Sequence, residues 1–299
     1  MVQVWRFIRK IHDTSDFSAV PICFWLNENV LRIYYSTRNE NNESIPYFFD
    51  YDFVNERKIT NPKTINLEKG ELGTFDDSGV MPSSVIKIDD KIYMYYIGWN
   101  LGVTVPFRNS IGLAVSYNNG VTFVKKFTGP VLDRTKNEPH FVASNHVIYH
   151  EEKFKMWYLS CVKWEEVNGE IRHFYNIKYA TSNDGENWTR NNTIAIDFKY
   201  ENEYAISVPR VIIEEGIFKM WYSYRGGPIS ENYRIGYAES LDGVNWERKD
   251  EFISFELSNE DWDSEMICYP FIFLKGKDKF MLYNGNHYGK TGIGLFQLI

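Results

Sequence analysis

The sequence predicts an all-β fold, a five-bladed β-propeller with four-stranded antiparallel blades. Three observations predict it. A strand-like pentapeptide recurs five times at a period near 60 residues, turn-forming Asn-Gly or Asp-Gly pairs follow three of the copies, and no helical period or linker composition interrupts them. At 299 residues the chain is long for an ordinary domain, but five such repeats account for all of it. One domain spanning residues 1–299 is therefore expected.

The pentapeptide reads Leu31-Arg-Ile-Tyr-Tyr35, Ile92-Tyr-Met-Tyr-Tyr96, Phe154-Lys-Met-Trp-Tyr158, Phe218-Lys-Met-Trp-Tyr222 and Lys279-Phe-Met-Leu-Tyr283. Its third position holds Ile33, Met94, Met156, Met220 and Met281, at spacings of 61, 62, 64 and 61. An apolar run precedes each copy: Phe24, Val85-Ile86, Val147-Ile148, Val211-Ile212 and Ile272. A third segment follows four of them, beginning at Ile111, Ile177, Ile235 and Ile293. All are short, rich in β-branched and aromatic residues, and bounded by turn formers, which is the signature of strands.

The third segment ends in a hairpin signal. Ser182-Asn-Asp184-Gly185-Glu-Asn-Trp188 and Ser240-Leu-Asp242-Gly243-Val-Asn-Trp246 match at a spacing of 58, and Asn119-Gly120 opens a slightly longer version. Such pairs supply positive φ, and the Trp or Phe after them starts a fourth strand. These turns resemble the Asp-boxes of sialidases and other carbohydrate-active propellers, where a structural role far from substrate is the default. The last repeat ends at Ile299 after its third strand, while Trp5-Arg6 matches the start of a fourth, as in Trp188-Thr-Arg190 and Trp246-Glu-Arg248. Val2–Ile8 is thus expected to pair as the outer strand of the last blade, removing an open edge.

Composition narrows the function. Lys and Arg total 33 against 40 for Asp and Glu, a net charge of −7, which disfavours binding to nucleic acid or an anionic membrane. Cys23, Cys161 and Cys268 show neither disulfide nor zinc spacing. Charges interrupt the N-terminal segment where a signal peptide needs an apolar run, so a cytoplasmic location is expected.

In a propeller, the start of each first strand and the end of each second strand share a face. Stepping back 17 residues from the repeat's third position gives Asp16, Asp77, Pro139, Glu203 and Ser264, with Asp76, Glu138, Asp263 and Glu265 alongside. This reads as a ring of carboxylates at one rim, where mutual repulsion separates pKa values for acid–base work. Turn capping is the competing structural reading, and a channel cation such as Ca2+ is a third. No other cofactor is expected. After the second strands come Arg38, Trp99, Trp164, Tyr224-Arg225 and Asn284-Gly-Asn286-His287-Tyr288. Trp and Tyr faces suit sugar stacking, and Arg38, Arg210 and Arg225 suit either acid pairing or an anionic substrate group. His140 and His287 read equally as ligand donors or as satisfied structural groups.

Asp77-Ser-Gly-Val-Met-Pro82, the Met-Trp-Tyr strands and Ile235-Gly-Tyr-Ala-Glu-Ser-Leu-Asp-Gly-Val-Asn-Trp246 resemble the five-bladed glycoside hydrolases of families 43, 32, 62 and 68, and the related family 130. The last blade resembles propellers of bacterial surface-polysaccharide gene sets. The resemblance implies Asp16 (or Asp13) as base or nucleophile, Asp77 (or Asp76) as pKa modulator and Glu138 as acid, although the first blade lacks those families' Asp-Pro pair. It further implies chemistry at a glycosidic or activated anomeric bond. The alternative is a non-hydrolytic propeller that binds or processes a sugar or nucleotide-sugar in polysaccharide assembly. Either way the expected partner is a carbohydrate or nucleotide-sugar small molecule.

Overall fold

The computed structural model describes residues 2–14, 16–228 and 230–299. Inner strands Ala19–Trp25, Val80–Ile88, Val142–His150, Glu203–Glu214 and Cys268–Lys275 each form a hairpin with a strand carrying the repeat. Those second strands are Val30–Arg38, Lys91–Leu101, Lys153–Val167, Ile217–Gly226 and Asp278–Asn284. Each pairs onward, antiparallel, with Ser44–Asp52, Phe107–Ser116, Glu170–Ser182, Ser230–Ser240 or Ile293–Leu298. Short outer strands follow, such as Val124–Lys125 and Glu247–Arg248. Hydrogen bonding joins these into four sheets, because a single parallel pair, Tyr175 with Ala205, merges the third and fourth units into an eight-stranded sheet. The inner strands adjoin one another in cyclic order, the first touching the second and so on until the fifth touches the first.

The repeat explains the packing. Ile33, Met94, Met156, Met220 and Met281 are all fully buried, and so are the residues after them, Tyr34, Tyr95, Trp157, Trp221 and Leu282. Consecutive side chains point to opposite faces of a strand, so burial of both means each sheet is covered on two sides by its neighbours. Fully burying one such large side chain contributes roughly 2–3 kcal/mol, which explains the demand for aromatics.

The Asn-Gly and Asp-Gly turns lock neighbouring units together. Tyr34 donates its hydroxyl to the Gly120 carbonyl at 2.7 Å, Tyr95 to Gly185 at 2.8 Å, and the Trp157 indole to Gly243 at 2.8 Å. The three glycines have φ near +75°, and a Cβ at Gly120 would sit 2.1 Å from the Tyr34 oxygen. Side chain-to-turn bonding between units thus accounts for both motifs.

Gln3–His12 pairs antiparallel with Ile293–Leu298, Trp5 opposite Leu298, so the N-terminal segment joins the C-terminal sheet as the sequence predicts. Trp5 is fully buried and meets Trp221 edge-on at 6.0 Å. Ile253–Glu256 then runs parallel to Gln3–Arg6 on the outside, an addition the repeat pattern does not foretell. Among the described residues no helix is long and apolar enough to cross a membrane.

Candidate functional site

Each inner strand carries a bulge at the same end. The register slips between Ala19 and Ile22, Pro82 and Ser84, Val142 and Asn145, Ser207 and Arg210, and Cys268 and Phe271. In three of the bulges the residue before a proline has positive φ: Val20 at 55°, Val208 at 51° and Tyr269 at 56°. A branched or bulky residue there carries strain on the order of 1–3 kcal/mol, a cost that concentrates at functional sites. All three face one cavity of about 430 Å³, together with Met81 and Ala143.

The cavity wall is aromatic and basic. Second strands contribute Arg38, Trp99 and Arg225, third strands contribute Phe107, His173, Tyr175 and Tyr233, and Tyr288 closes the rim. The Arg38 guanidinium stacks 3.8 Å above the Trp99 ring, with only long contacts to the Asn42 carbonyl (3.4 Å) and the Met81 sulfur (3.5 Å). Burial pulls its pKa down to about 10, which leaves it charged at neutral pH. Arg225 lies over the rings of Tyr204 and Tyr233 and donates to the Tyr288 hydroxyl at 2.7 Å. Its Nε is buried without a partner among the described residues. His173 stacks on Tyr175 at 4.9 Å; burial, aided by Arg225 and Arg172, pulls it down to about 4, so the ring is neutral at pH 7. Among the described residues neither Arg38 nor Arg225 is ion-paired, and no carboxylate lines the cavity.

The expected ring of acids is therefore not at this rim. Glu138 is buried among Tyr158, Ser160, Lys178 and Arg190, receiving the Ser160 hydroxyl at 2.8 Å with Arg190 Nη1 3.1 Å away. Asp76 is buried between the Tyr96 hydroxyl (3.1 Å) and Lys125 Nζ (2.6 Å). Asp263 accepts the hydroxyls of Tyr283 and Ser258, and Glu203 pairs with Arg248 at 2.8 Å. Asp77 holds a turn: burial works to raise its pKa, but bonds from the Gly73 amide, Asn100 and Ser78 outweigh it and keep the pKa below the usual value. Asp16 is exposed beside the cavity residue Phe17, while Asp13 is exposed and paired with Lys10.

The structure brings Arg38, Trp99, Arg225 and Tyr288 together and places the other candidates elsewhere. Trp164 stands behind the wall, packed on Phe107, Phe141 and His173. Asn286 straps the preceding loop through the amides of Glu265 and Met266, leaving the Glu265 side chain exposed. His287 is exposed, His140 is half-buried, and Tyr224 is buried under Arg248. Arg210 is buried among inner strands, its Nη1 2.8 Å from the Asn145 carbonyl and its guanidinium 5.2 Å from the Phe271 ring. In place of a cation held by carboxylates the centre thus contains a guanidinium, and among the described residues no group of three or more His, Cys, Asp or Glu is placed to hold a metal.

Sequence reasoning missed Phe107, His173, Tyr175 and Tyr233. Their signal was cross-strand pairing: Trp99 lies opposite Asn109, Trp164 opposite His173 and Tyr224 opposite Arg234, so the third strands' opening residues complete the wall.

The fold is that of the β-propellers found among glycoside hydrolases. A glycosyl hydrolase from Bacteroides ovatus superposes with a TM-score of 0.71 at 13% identity, covering 95% of this chain and 84% of that one. A thermostable family-43 glycoside hydrolase gives 0.65 at 17% identity, covering 95% and 88%. No protein-family model matches the chain. The chain belongs to the family of the "Uncharacterized protein Rv1502" of Mycobacterium tuberculosis (strain ATCC 25618 / H37Rv), to which it is 36% identical over 299 residues, 97% of this chain and 98% of that protein. A 1,2-beta-oligomannan phosphorylase from Thermoanaerobacter sp. (strain X514) is 32% identical over 79 residues, covering 26% of this chain and 27% of the phosphorylase.

Proposed function

We propose that this protein is a single-domain, five-bladed, carbohydrate-active propeller whose central cavity binds a sugar bearing a negatively charged group, a phosphate or a carboxylate. One observation carries the reading: among the described residues, the cavity combines an aromatic wall with two guanidiniums free of acid partners and contains no carboxylate. In a chain of net charge −7, unpaired arginines facing a cavity are a local exception that an anionic ligand would neutralise. Tyr288, half-exposed at the rim, offers a face for the sugar ring, while Trp99 carries the Arg38 guanidinium. Five inner strands in cyclic contact support the blade count. The activity for which the oligomannan phosphorylase is named joins sugar and phosphate in one reaction and fits the same ligand chemistry. On this reading Asp77 and Glu138 hold the fold, and acid–base roles for Asp16, Asp77 and Glu138 are set aside.

A panel of neutral oligosaccharides, uronates, sugar 1-phosphates and nucleotide-sugars tests this by thermal shift, since a bound ligand raises stability by mass action. Charged sugars should raise the midpoint of the native protein and leave an Arg38→Ala, Arg225→Ala double variant unmoved. Equal response to neutral and charged sugars in both proteins would overturn it.

A further inference from the structure

Arg210 is an arginine that the proposed function leaves unused. It lies 1% exposed on the inner strand Glu203–Glu214, two residues past the strained Val208. Nη1 is satisfied by the carbonyls of Asn145 (2.8 Å) and Pro209 (3.1 Å), while Nε and Nη2 have no partner among the described residues. These two nitrogens form the side-on edge of the guanidinium. Elsewhere in this protein the same edge, on Arg32, grips both oxygens of Asp50 at 2.7 Å. In Arg210 it is open.

Among the described residues the surroundings hold no counter-charge. The titratable groups facing Arg210 are Cys23, whose thiol burial pushes well up, and His146, which burial pulls down to about 3 with the arginine's own charge adding. Both are neutral at pH 7, and His146 Nδ1 accepts the Val211 amide at 3.0 Å. The Phe271 ring covers one face. Two further buried groups also lack partners: the side-chain amide of Asn145, whose carbonyl already binds Arg210, and the hydroxyl of Ser207, three residues earlier on the same strand. A buried charge with an unused donor fork is a seat for an anion, because desolvation is offset by an opposite charge or by full hydrogen bonding. None of these atoms belongs to a carboxylate, so a counter-charge at the fork would come from solution.

We propose that the centre of the inner-strand ring binds a small monovalent anion on the Nε–Nη2 edge of Arg210, with Asn145 and Ser207 as the neighbouring donors. The fork accepts a halide between its two N–H groups or a planar anion such as nitrate across them. The site borders the sugar cavity, whose lining includes Ser207 but not Arg210.

Crystals of the native protein soaked in bromide locate the site directly. Anomalous density at the open edge of Arg210 is expected; density elsewhere only, or water alone at the fork, would overturn the proposal. In solution, replacing gluconate by chloride, bromide or nitrate at fixed ionic strength should raise the melting midpoint in step with the logarithm of anion concentration. That rise should survive in the Arg38→Ala, Arg225→Ala double variant and vanish in Arg210→Met. Should Arg210→Met fail to fold, the bromide density decides alone. Loss of the anion effect in the double variant would place it in the cavity and also refute the proposal.

Discussion

Tyr158 donates its hydroxyl to the Glu138 carboxylate, 3.0 Å from one oxygen and 3.1 Å from the other. The same bond recurs from Tyr96 to Asp76 and from Tyr283 to Asp263, always across twenty residues. In each case the tyrosine is the last residue of the repeated pentapeptide. A carboxylate used this way closes its sheet to the loop before the inner strand.

The first prediction follows from that role. Glu138→Gln preserves a hydrogen bond to Tyr158 but leaves Lys178 and Arg190, both largely buried, without their counter-charge. Removing one partner of a buried ionic cluster costs about 3 kcal/mol. Urea denaturation should register that loss, while ligand binding at the cavity, measured where the variant is still folded, stays within a factor of about two of the native value. Native stability with abolished turnover would return Glu138 to the role of general acid.

The acids also show what was legible. The fold could be read because each repeat residue reports on its own strand: hydrophobic period, turn glycine and strand length are local signals. The terminal strand was readable because Trp5-Arg6 supplied the missing copy. Counting back from the repeat places the acid column one residue off, since its true register is fixed by Tyr96, Tyr158 and Tyr283 and runs through Asp76, Glu138 and Asp263. Two of those acids find their cations, Lys125 and Arg190, on distant segments, and no local pattern tells a paired carboxylate from a free one. Arg38, Trp99 and Arg225 were recognisable from their place after the second strands. Phe107, His173 and Tyr233 were not, because the lengths of the second hairpins differ between repeats and slide the third strands out of any fixed column.

Val208 gives a second prediction, in the backbone. In an ordinary strand, Gly at a buried site is less stable than Ala by about 1 kcal/mol. Here φ is 51°, a region in which alanine stays strained and glycine does not. Val208→Gly should therefore match or exceed Val208→Ala in stability, both lying below the native protein because the valine side chain is lost from the cavity floor. Comparing the two denaturation midpoints checks the inversion. Alanine above glycine by the usual margin would mean that the strand relaxes and stores no strain.

A third concerns acid. His12 is 5% exposed, packed against Tyr35 and Phe49, with Lys58 Nζ 2.7 Å from its Nδ1. Burial first, and the Lys58 charge second, pull its pKa from 6.5 down to about 4. The unfolded chain takes up the proton before the folded one does, so this contribution is intact above pH 6.5 and is lost progressively as pH falls toward 4. The full difference amounts to about 3 kcal/mol. Urea midpoints at pH 7.5 and pH 4.5 should differ by less in His12→Phe than in the native protein. An unchanged difference would locate the acid sensitivity elsewhere.

The last prediction separates charge from shape at Arg38. A guanidinium 3.8 Å above the Trp99 indole is held by its flat face, and its edge remains available to a ligand. Lysine keeps the charge but neither stacks flat nor offers two parallel donors. If the cavity uses Arg38 only as a positive charge, Arg38→Lys should bind a charged sugar within a few-fold of the native protein. If a two-oxygen group is gripped by the edge while the indole fixes the plane, Arg38→Lys should lose about 1.5–3 kcal/mol, the worth of a charge-assisted hydrogen bond, and Arg38→Gln at least as much. We expect the second result, because Arg38 has no other strong contact to orient it and the Trp99 ring alone sets its plane. Calorimetric titration of native, Arg38→Lys and Arg38→Gln proteins with the tightest charged sugar decides the matter. A lysine variant that binds as well as the native protein would reduce Arg38 to a point charge.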